Sequence, residues 1–200
     1  MRRRFRREHF EELYKRSEDP WSFATSEYER CKYERSLDAL EGRRFPRALE
    51  LGCSIGVFTA MLAPHCDELL AVDISQRAVD LARERLADFP SVRVERRTLP
   101  EETPEGLFDL VVASEILYYF TEEVMLAALR HFEEELAPGG SMLAVHWRGE
   151  PKTHPLRGDE VHELLGCHTR LAHVLSATES EYRLDLFRDT GGHARGRATG

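Results

Sequence analysis

The sequence is short of long apolar runs. No stretch approaches the roughly 20 consecutive apolar residues that cross a bilayer, so a membrane partner is not expected. Cysteine is scarce: Cys31, Cys53, Cys66 and Cys167 form no C-x-x-C pair and have no metal-ligand spacing with paired histidines. That argues against a zinc site or a dithiol redox motif; reduced thiols suit a cytoplasmic location, and no metal is expected. A surplus of positive charge is also missing. Lys and Arg number 28 against 36 Asp and Glu, a net charge of −8, which disfavours nucleic acid as the main partner. The start, Met1-Arg2-Arg3-Arg4-Phe5-Arg6-Arg7, is the exception. It has no apolar segment behind it, so it is not a secretory signal; it reads as a solvated, frayed terminus, with a basic arm for an anionic partner as the alternative. No repeat recurs at solenoid periods. The two phosphate-binding glycine patterns, G-x-G-x-x-G and G-x-x-x-x-G-K-[ST], are both missing.

What is present is a regular alternation of short apolar runs and amphipathic stretches. Residues 1–16 read as a polar helix or a tail, and Ser17 to Ser26 as a loop around Asp19-Pro20-Trp21. Tyr28, Lys32, Tyr33, Leu37 and Leu40 recur at helical spacing, which predicts a helix over Glu27 to Glu41, followed by a break from Gly42 to Pro46. Strands are predicted at 48–51, 69–73, 92–96, 108–114, 141–147, 169–175 and 182–187. Helices are predicted at 57–63, from a Ser75 cap to about 88, from a Thr121 cap to Leu136 before Pro138-Gly139-Gly140, and at 158–165. The fourth strand, FDLVVAS, is the near-continuous apolar run of a buried parallel strand. Only a short polar turn joins the last two strands, so they form an antiparallel hairpin. The fold class is therefore α/β: a doubly wound, mostly parallel seven-stranded sheet with a C-terminal antiparallel hairpin.

Three places carry chemistry. Glu50-Leu51-Gly52-Cys53-Ser54-Ile55-Gly56 follows a strand and opens a helix, so its glycines let the backbone approach a ligand closely. Asp73 ends the second strand, where an acidic residue can accept hydrogen bonds from both hydroxyls of a ribose. Ser114-Glu115-Ile116-Leu117-Tyr118-Tyr119-Phe120 lies at the carboxyl end of the fourth strand, on the ligand side of an open α/β sheet. Glu115 offers an acceptor there and Tyr118 a hydroxyl and a flat face. His146 ends the fifth strand on the same side, where a structural and a catalytic role are both open. His162 reads as structural or solvated.

ELGCSIG, VDIS, FDLVVASEILYY and LAPGG, in this order, resemble the motifs of class I S-adenosylmethionine-dependent methyltransferases, over roughly Phe45 to Arg188. DPW with SEYERCKYE before that core, and VHWR with GDEVHELL after it, resemble the nodulation protein S branch, enzymes similar to the one that N-methylates the glucosamine end of a chitooligosaccharide. The resemblance implies a Rossmann-like methyltransferase domain over 45–189, an N-terminal helical lid over 1–44 and a disordered tail over 190–200. It implies S-adenosyl-L-methionine as cofactor and a small-molecule methyl acceptor, such as an amine of an amino sugar or saccharide. Glu50, Gly52, Cys53 and Gly56 would line the methionine part. Asp73 would hold the ribose, with Ile74 against the adenine. Thr98 and Leu99 would stand where relatives place an acidic residue near the adenine amine, and Ser114 and Glu115 would border the sulfonium. Trp21 and Arg30 would close over the cofactor, with Arg30 near its carboxylate. An amine acceptor must lose a proton, to Glu115 or His146. The competing readings are a nucleotide-linked oxidoreductase and a non-catalytic cofactor-binding regulator.

Overall fold

The computed structural model describes residues 6–150 and 153–191. The basic start and most of the proposed tail, 1–5 and 192–200, lie outside the described residues. The elements are α1 (Arg7–Arg16), α2 (Glu27–Asp38), β1 (Phe45–Leu51), α3 (Val57–Leu62), β2 (Cys66–Asp73), α4 (Gln76–Arg85), β3 (Val92–Arg96), β4 (Phe108–Ser114), α5 (Glu122–Glu134), β5 (Leu136–Trp147), α6 (Gly158–His168), β6 (Ala172–Thr178) and β7 (Tyr182–Arg188). The seven strands form one sheet in the order β3-β2-β1-β4-β5-β7-β6. β1 to β5 are mutually parallel, and β7 is antiparallel to both β5 and β6. The doubly wound sheet and its closing hairpin are as the sequence pattern predicts.

Period-two alternation on the central strands builds two cores. Val111 and Ala113 of β4 join Leu49 and Leu51 on the face covered by α5 and α6. Leu110 and Val112 point the other way, with Ala48, toward Phe58 and Leu62 of α3 and Tyr33 of α2. A strand buried on both faces can afford no polar alternation, which is why β4 reads as an apolar run. Three helices start as their sequences suggest. Ser26, Ser75 and Thr121 accept the amides of Glu29, Ala78 and Val124 as N-caps of α2, α4 and α5.

Several boundaries differ from expectation. α2 ends at Asp38, because Glu41 and Gly42 turn the chain with φ of 55° and 66°. β1 begins at Phe45, three residues early. Its pairing with β2 passes from Phe45 opposite Cys66 to Arg47 opposite Glu68, around Pro46, which has no amide to donate. Pro138-Gly139-Gly140 does not end α5. The helix stops at Glu134, and β5 starts at Leu136 and runs through the glycines. Phe108 donates its amide to Glu135 O at 2.8 Å, and the β4–β5 register shifts after Phe108. Gly139, at φ 77°, thus supplies an irregularity inside the strand rather than a loop. β6 starts three residues late. The Thr169 hydroxyl and Arg170 amide are held by Glu133, and this edge strand is too exposed to show clean alternation.

β1 leads to β2 on one side of the sheet and lies against β4 on the other. The carboxyl ends of β1, β2 and β4 therefore open onto one crevice at the point where strand order reverses. α1 and α2 complete its walls: Glu11 of α1 accepts the Gln76 amide at 2.7 Å, and Tyr33 of α2 stacks on Phe58 at 4.9 Å between ring centroids.

Candidate active site

The loop after β1 is shaped by left-handed backbone. Gly52, Ser54 and Gly56 have φ of 73°, 52° and 77°. The amides of Gly52 and Cys53 both donate to Val72 O, at 2.8 and 3.0 Å, which pins the loop to the end of β2. A Cβ on Gly52 would come within 2.7 Å of Ile116 Cδ1. We expect Gly52→Ala to destabilise the fold by more than about 1 kcal/mol, since it adds φ strain to a clash, and to abolish tight ligand binding. Thermal unfolding and calorimetric titration with S-adenosylhomocysteine would show it; native-like values in both would refute it.

Asp73 is held from two sides. Its Oδ1 accepts the Ser75 amide at 2.9 Å and its Oδ2 accepts the Ser54 amide at 3.0 Å. A carboxylate has lone pairs beyond these two, so it keeps acceptor capacity for a ligand. Burial lifts its carboxyl to about 6, despite those amides. Glu50 is buried on the wall of the same cavity: burial pushes its carboxyl to about 8, and its Oε2 has no hydrogen-bond partner among the described residues. Tyr14 of α1 and Ser54 share a hydrogen bond of 2.6 Å between hydroxyls.

These residues border a cavity of about 420 Å³ that continues from the β1–β2 end to the β4 end. At the far end Glu115, with φ 55°, turns the chain out of β4; its amide donates to Val145 O at 2.8 Å. Its carboxylate is a hub. Oε1 accepts from the Lys32 ammonium, and Oε2 accepts the Tyr118 hydroxyl at 2.7 Å and the Trp147 amide at 3.0 Å. Lys32 is 1% exposed and also pairs with Glu29 at 2.8 Å. Burial opposes its charge, but Glu115 and Glu29 together hold its ammonium above the ordinary range. Tyr118 stacks on His154 at 4.6 Å, and Phe10 meets Tyr119 edge-on at 5.1 Å.

A family profile of nodulation protein S matches residues 8–151. The chain belongs to the nodulation protein S family. It is 33% identical to nodulation protein S of Rhizobium tropici over 129 residues, 64% of this chain and 54% of that one. It is 35% identical to the Bradyrhizobium diazoefficiens protein over 130 residues, 63% of this chain and 61% of that one. The matched stretch thus spans a little over half the length of these relatives. The crystal structure of N-methyltransferase NodS from Bradyrhizobium japonicum WM9 in complex with S-adenosyl-L-homocysteine superposes with a TM-score of 0.81 at 27% identity, covering 90% of this chain and 98% of that one.

For this member of the family, the structure brings most of the expected site residues together. Trp21, Glu50, Gly52, Cys53, Asp73 and Ile74 line the cavity. So do Leu99, Ser114, Glu115 and Tyr118. Four do not. Arg30 points to solvent and is ion-paired with Glu27 and Glu34 on its own helix, because a residue two before the buried Lys32 falls on the opposite face of α2. Gly56 faces α4 instead: a Cβ there would meet Leu86 at 2.9 Å and Ala82 at 3.2 Å, so this glycine serves helix packing. Thr98 is turned away, its amide held by Glu102 at 2.6 Å, while its neighbours Arg97 and Leu99 line the cavity.

His146 lies behind the wall, fully buried. Its Nε2 accepts the Leu117 amide at 3.2 Å, so Nδ1 carries the proton and donates to His162 Nε2 at 3.2 Å. His162 Nδ1 in turn donates to Asp185 Oδ2 at 2.7 Å. Burial lowers both imidazoles below the ordinary range. A satisfied neutral histidine with no cavity face cannot take a proton from an acceptor. It positions the 115–119 turn instead, and His162 supports it. Tyr14, Glu29, Lys32 and Arg97 are the residues that sequence reasoning missed. The one available signal was a lysine inside the apolar stripe of Tyr28, Tyr33 and Leu37, where an ammonium needs a buried counter-charge.

Proposed function

We propose that the chain is an S-adenosylmethionine-dependent methyltransferase acting on a nitrogen of a small molecule, with an amine of an amino sugar or saccharide as the favoured acceptor. The observation that carries this is one cavity with carboxylates at both ends. Asp73 and the unpartnered Glu50 oxygen stand at β1 and β2, and Glu29 and Glu115 stand at α2 and β4. The residues present fit the cofactor. The Glu50 oxygen awaits a cationic donor such as an α-ammonium, Asp73 retains capacity for ribose hydroxyls, and Gly52 leaves the space that a side chain would fill. α1, the loop after it and α2 close the cavity through Tyr14, Trp21 and Tyr33 in turn, which supports reading the N-terminal segment as a cover.

When bound, S-adenosylmethionine supplies a methyl group already made electrophilic by its sulfonium. What remains for the protein is to align an acceptor lone pair and exclude water; such positioning can contribute on the order of 7–11 kcal/mol. Glu115, fixed by Lys32, Tyr118 and Trp147, gives the acceptor end a rigid polar wall. Trp147 and His154, with Tyr118 stacked on His154, give it flat faces on which a sugar ring can lie.

The test has two arms. Calorimetric titration should show binding of S-adenosylhomocysteine and none of NAD, separating a methyltransferase from a nucleotide-linked oxidoreductase. Radiolabelled methyl transfer should then occur to amines, including a chitooligosaccharide with a terminal free glucosamine, and not to phenols or carboxylic acids. Binding without transfer to any acceptor would favour a cofactor-binding regulator.

A further inference from the structure

Both groups that the sequence offers as the acceptor's base are occupied. Glu115 accepts three donors, from Lys32, Tyr118 and Trp147. His146 is closed off and bound to the Leu117 amide. One carboxylate at the acceptor end remains available. α2 places Glu29 one turn before Lys32, where it lines the same cavity at 8% exposure. Its Oε2 lies 2.8 Å from Lys32 Nζ, and Lys32 and Tyr33 both act on the carboxyl through side-chain hydrogen bonding, so these contacts fix it while a carboxylate's further lone pairs leave room for one more donor. Lys32 is itself caged, over the Tyr28 ring at 5.1 Å and the Tyr33 ring at 5.9 Å, and cannot follow a ligand into the cavity. Beside it the Tyr28 hydroxyl is buried without a partner among the described residues. Two carboxylates against one ammonium leave this end with a net charge of −1, which attracts a cationic acceptor and repels an anionic one.

We propose that Glu29 is the carboxylate that receives the acceptor amine and takes its proton; this rests on the N-methyl-transfer reading above. An alkylammonium acceptor gives one N–H proton to Glu29, leaving a neutral amine and a carboxylic acid. The nitrogen lone pair then forms the N–C bond to the methyl group as the C–S bond breaks and its electron pair returns to sulfur. The product leaves as an N-methylammonium with S-adenosylhomocysteine, and Glu29 returns its proton to solvent. The groups facing Glu29 are Lys32, Tyr28 and Tyr33 of its own helix and Glu115 at the end of β4. Burial raises the Glu29 carboxyl above its usual range, Lys32 pulls it down, and Glu115 adds to the rise. The net direction makes it a better base than an ordinary glutamate.

The experiment uses the whole chain, S-adenosylmethionine and the glucosamine-terminated chitooligosaccharide, with Glu29→Gln and Glu29→Asp. Glu29→Gln should lose about 10²-fold or more in kcat/KM at pH 7, within the range typical of a removed base. The loss should shrink as pH rises and neutral amine arrives from solution, while S-adenosylhomocysteine affinity stays within threefold. Glu29→Asp should recover part of the rate. Native-like turnover of Glu29→Gln with an unchanged pH profile would overturn the assignment alone. A native protein that methylates no amine would overturn the proposed reaction with it. If Glu29→Gln does not fold, Glu29→Asp decides: a loss above tenfold with cofactor affinity intact supports the assignment, and full activity opposes it.

Discussion

The affinity for S-adenosylhomocysteine is expected to fall by about tenfold per pH unit as pH drops from 8 toward 6, and more steeply below 6. The cause is the pair of buried carboxyls at the cofactor end. Burial places Glu50 at about 8 and Asp73 at about 6. An α-ammonium and ribose hydroxyls both favour the ionised acids, so below these values binding must first expel protons. The sign for folding is the reverse. Both folded-state values lie above the ordinary carboxylate range, so the native chain holds protons that the unfolded chain has released. From these two groups, the ligand-free fold gains stability as pH falls from 8 to 5 while affinity declines. Calorimetry across this range should record proton release on binding. Glu50→Gln should remove the upper step and Asp73→Asn the lower one. Asp73→Ala should weaken binding further, by about 1.5–3 kcal/mol for each ribose hydroxyl bond lost, and it also frees the Ser54 and Ser75 amides that shape the loop. Affinity that is flat from pH 5.5 to 8.5 would show that neither acid faces the ligand.

Lys32→Met is expected to be the most damaging substitution to stability. Removing one partner of a buried ion pair leaves an uncompensated charge and typically costs about 3–5 kcal/mol. Here the loss exposes Glu29 and Glu115 to each other, with no other cation paired to either among the described residues. At roughly 2–4 °C per kcal/mol for a chain of this size, the unfolding midpoint should drop by roughly 6–20 °C at pH 8. The drop should narrow toward pH 5, as a proton takes the place of the missing ammonium between the two carboxylates. A midpoint within 2 °C of native at pH 8 would mean that water already screens this triad. Glu115→Gln is the milder counterpart, because Gln can still accept from Tyr118 and Trp147.

Much of this protein is written in local pattern. The alternation of apolar runs and amphipathic stretches determined the number, type and order of the strands, because each element must bury one face at its own period. The glycines after β1 and the acid ending β2 marked the cofactor end, since backbone that approaches a ligand excludes side chains and an open α/β sheet binds at its strand ends. Lys32 was visible as a misfit in an apolar stripe, but its partner Glu115 lies 83 residues away, and no spacing rule connects them. Gly52 and Gly56 look alike in sequence, yet one faces Ile116 at the cavity and the other faces α4. Arg30 and Lys32 differ by two positions on a helix, which is the difference between solvent and core. His146 stands at the right strand end for a base, but the Leu117 amide and His162 claim both its nitrogens. Local sequence sets which groups are near the site; long-range packing decides which of their lone pairs and protons are already taken, and only the remainder can do chemistry.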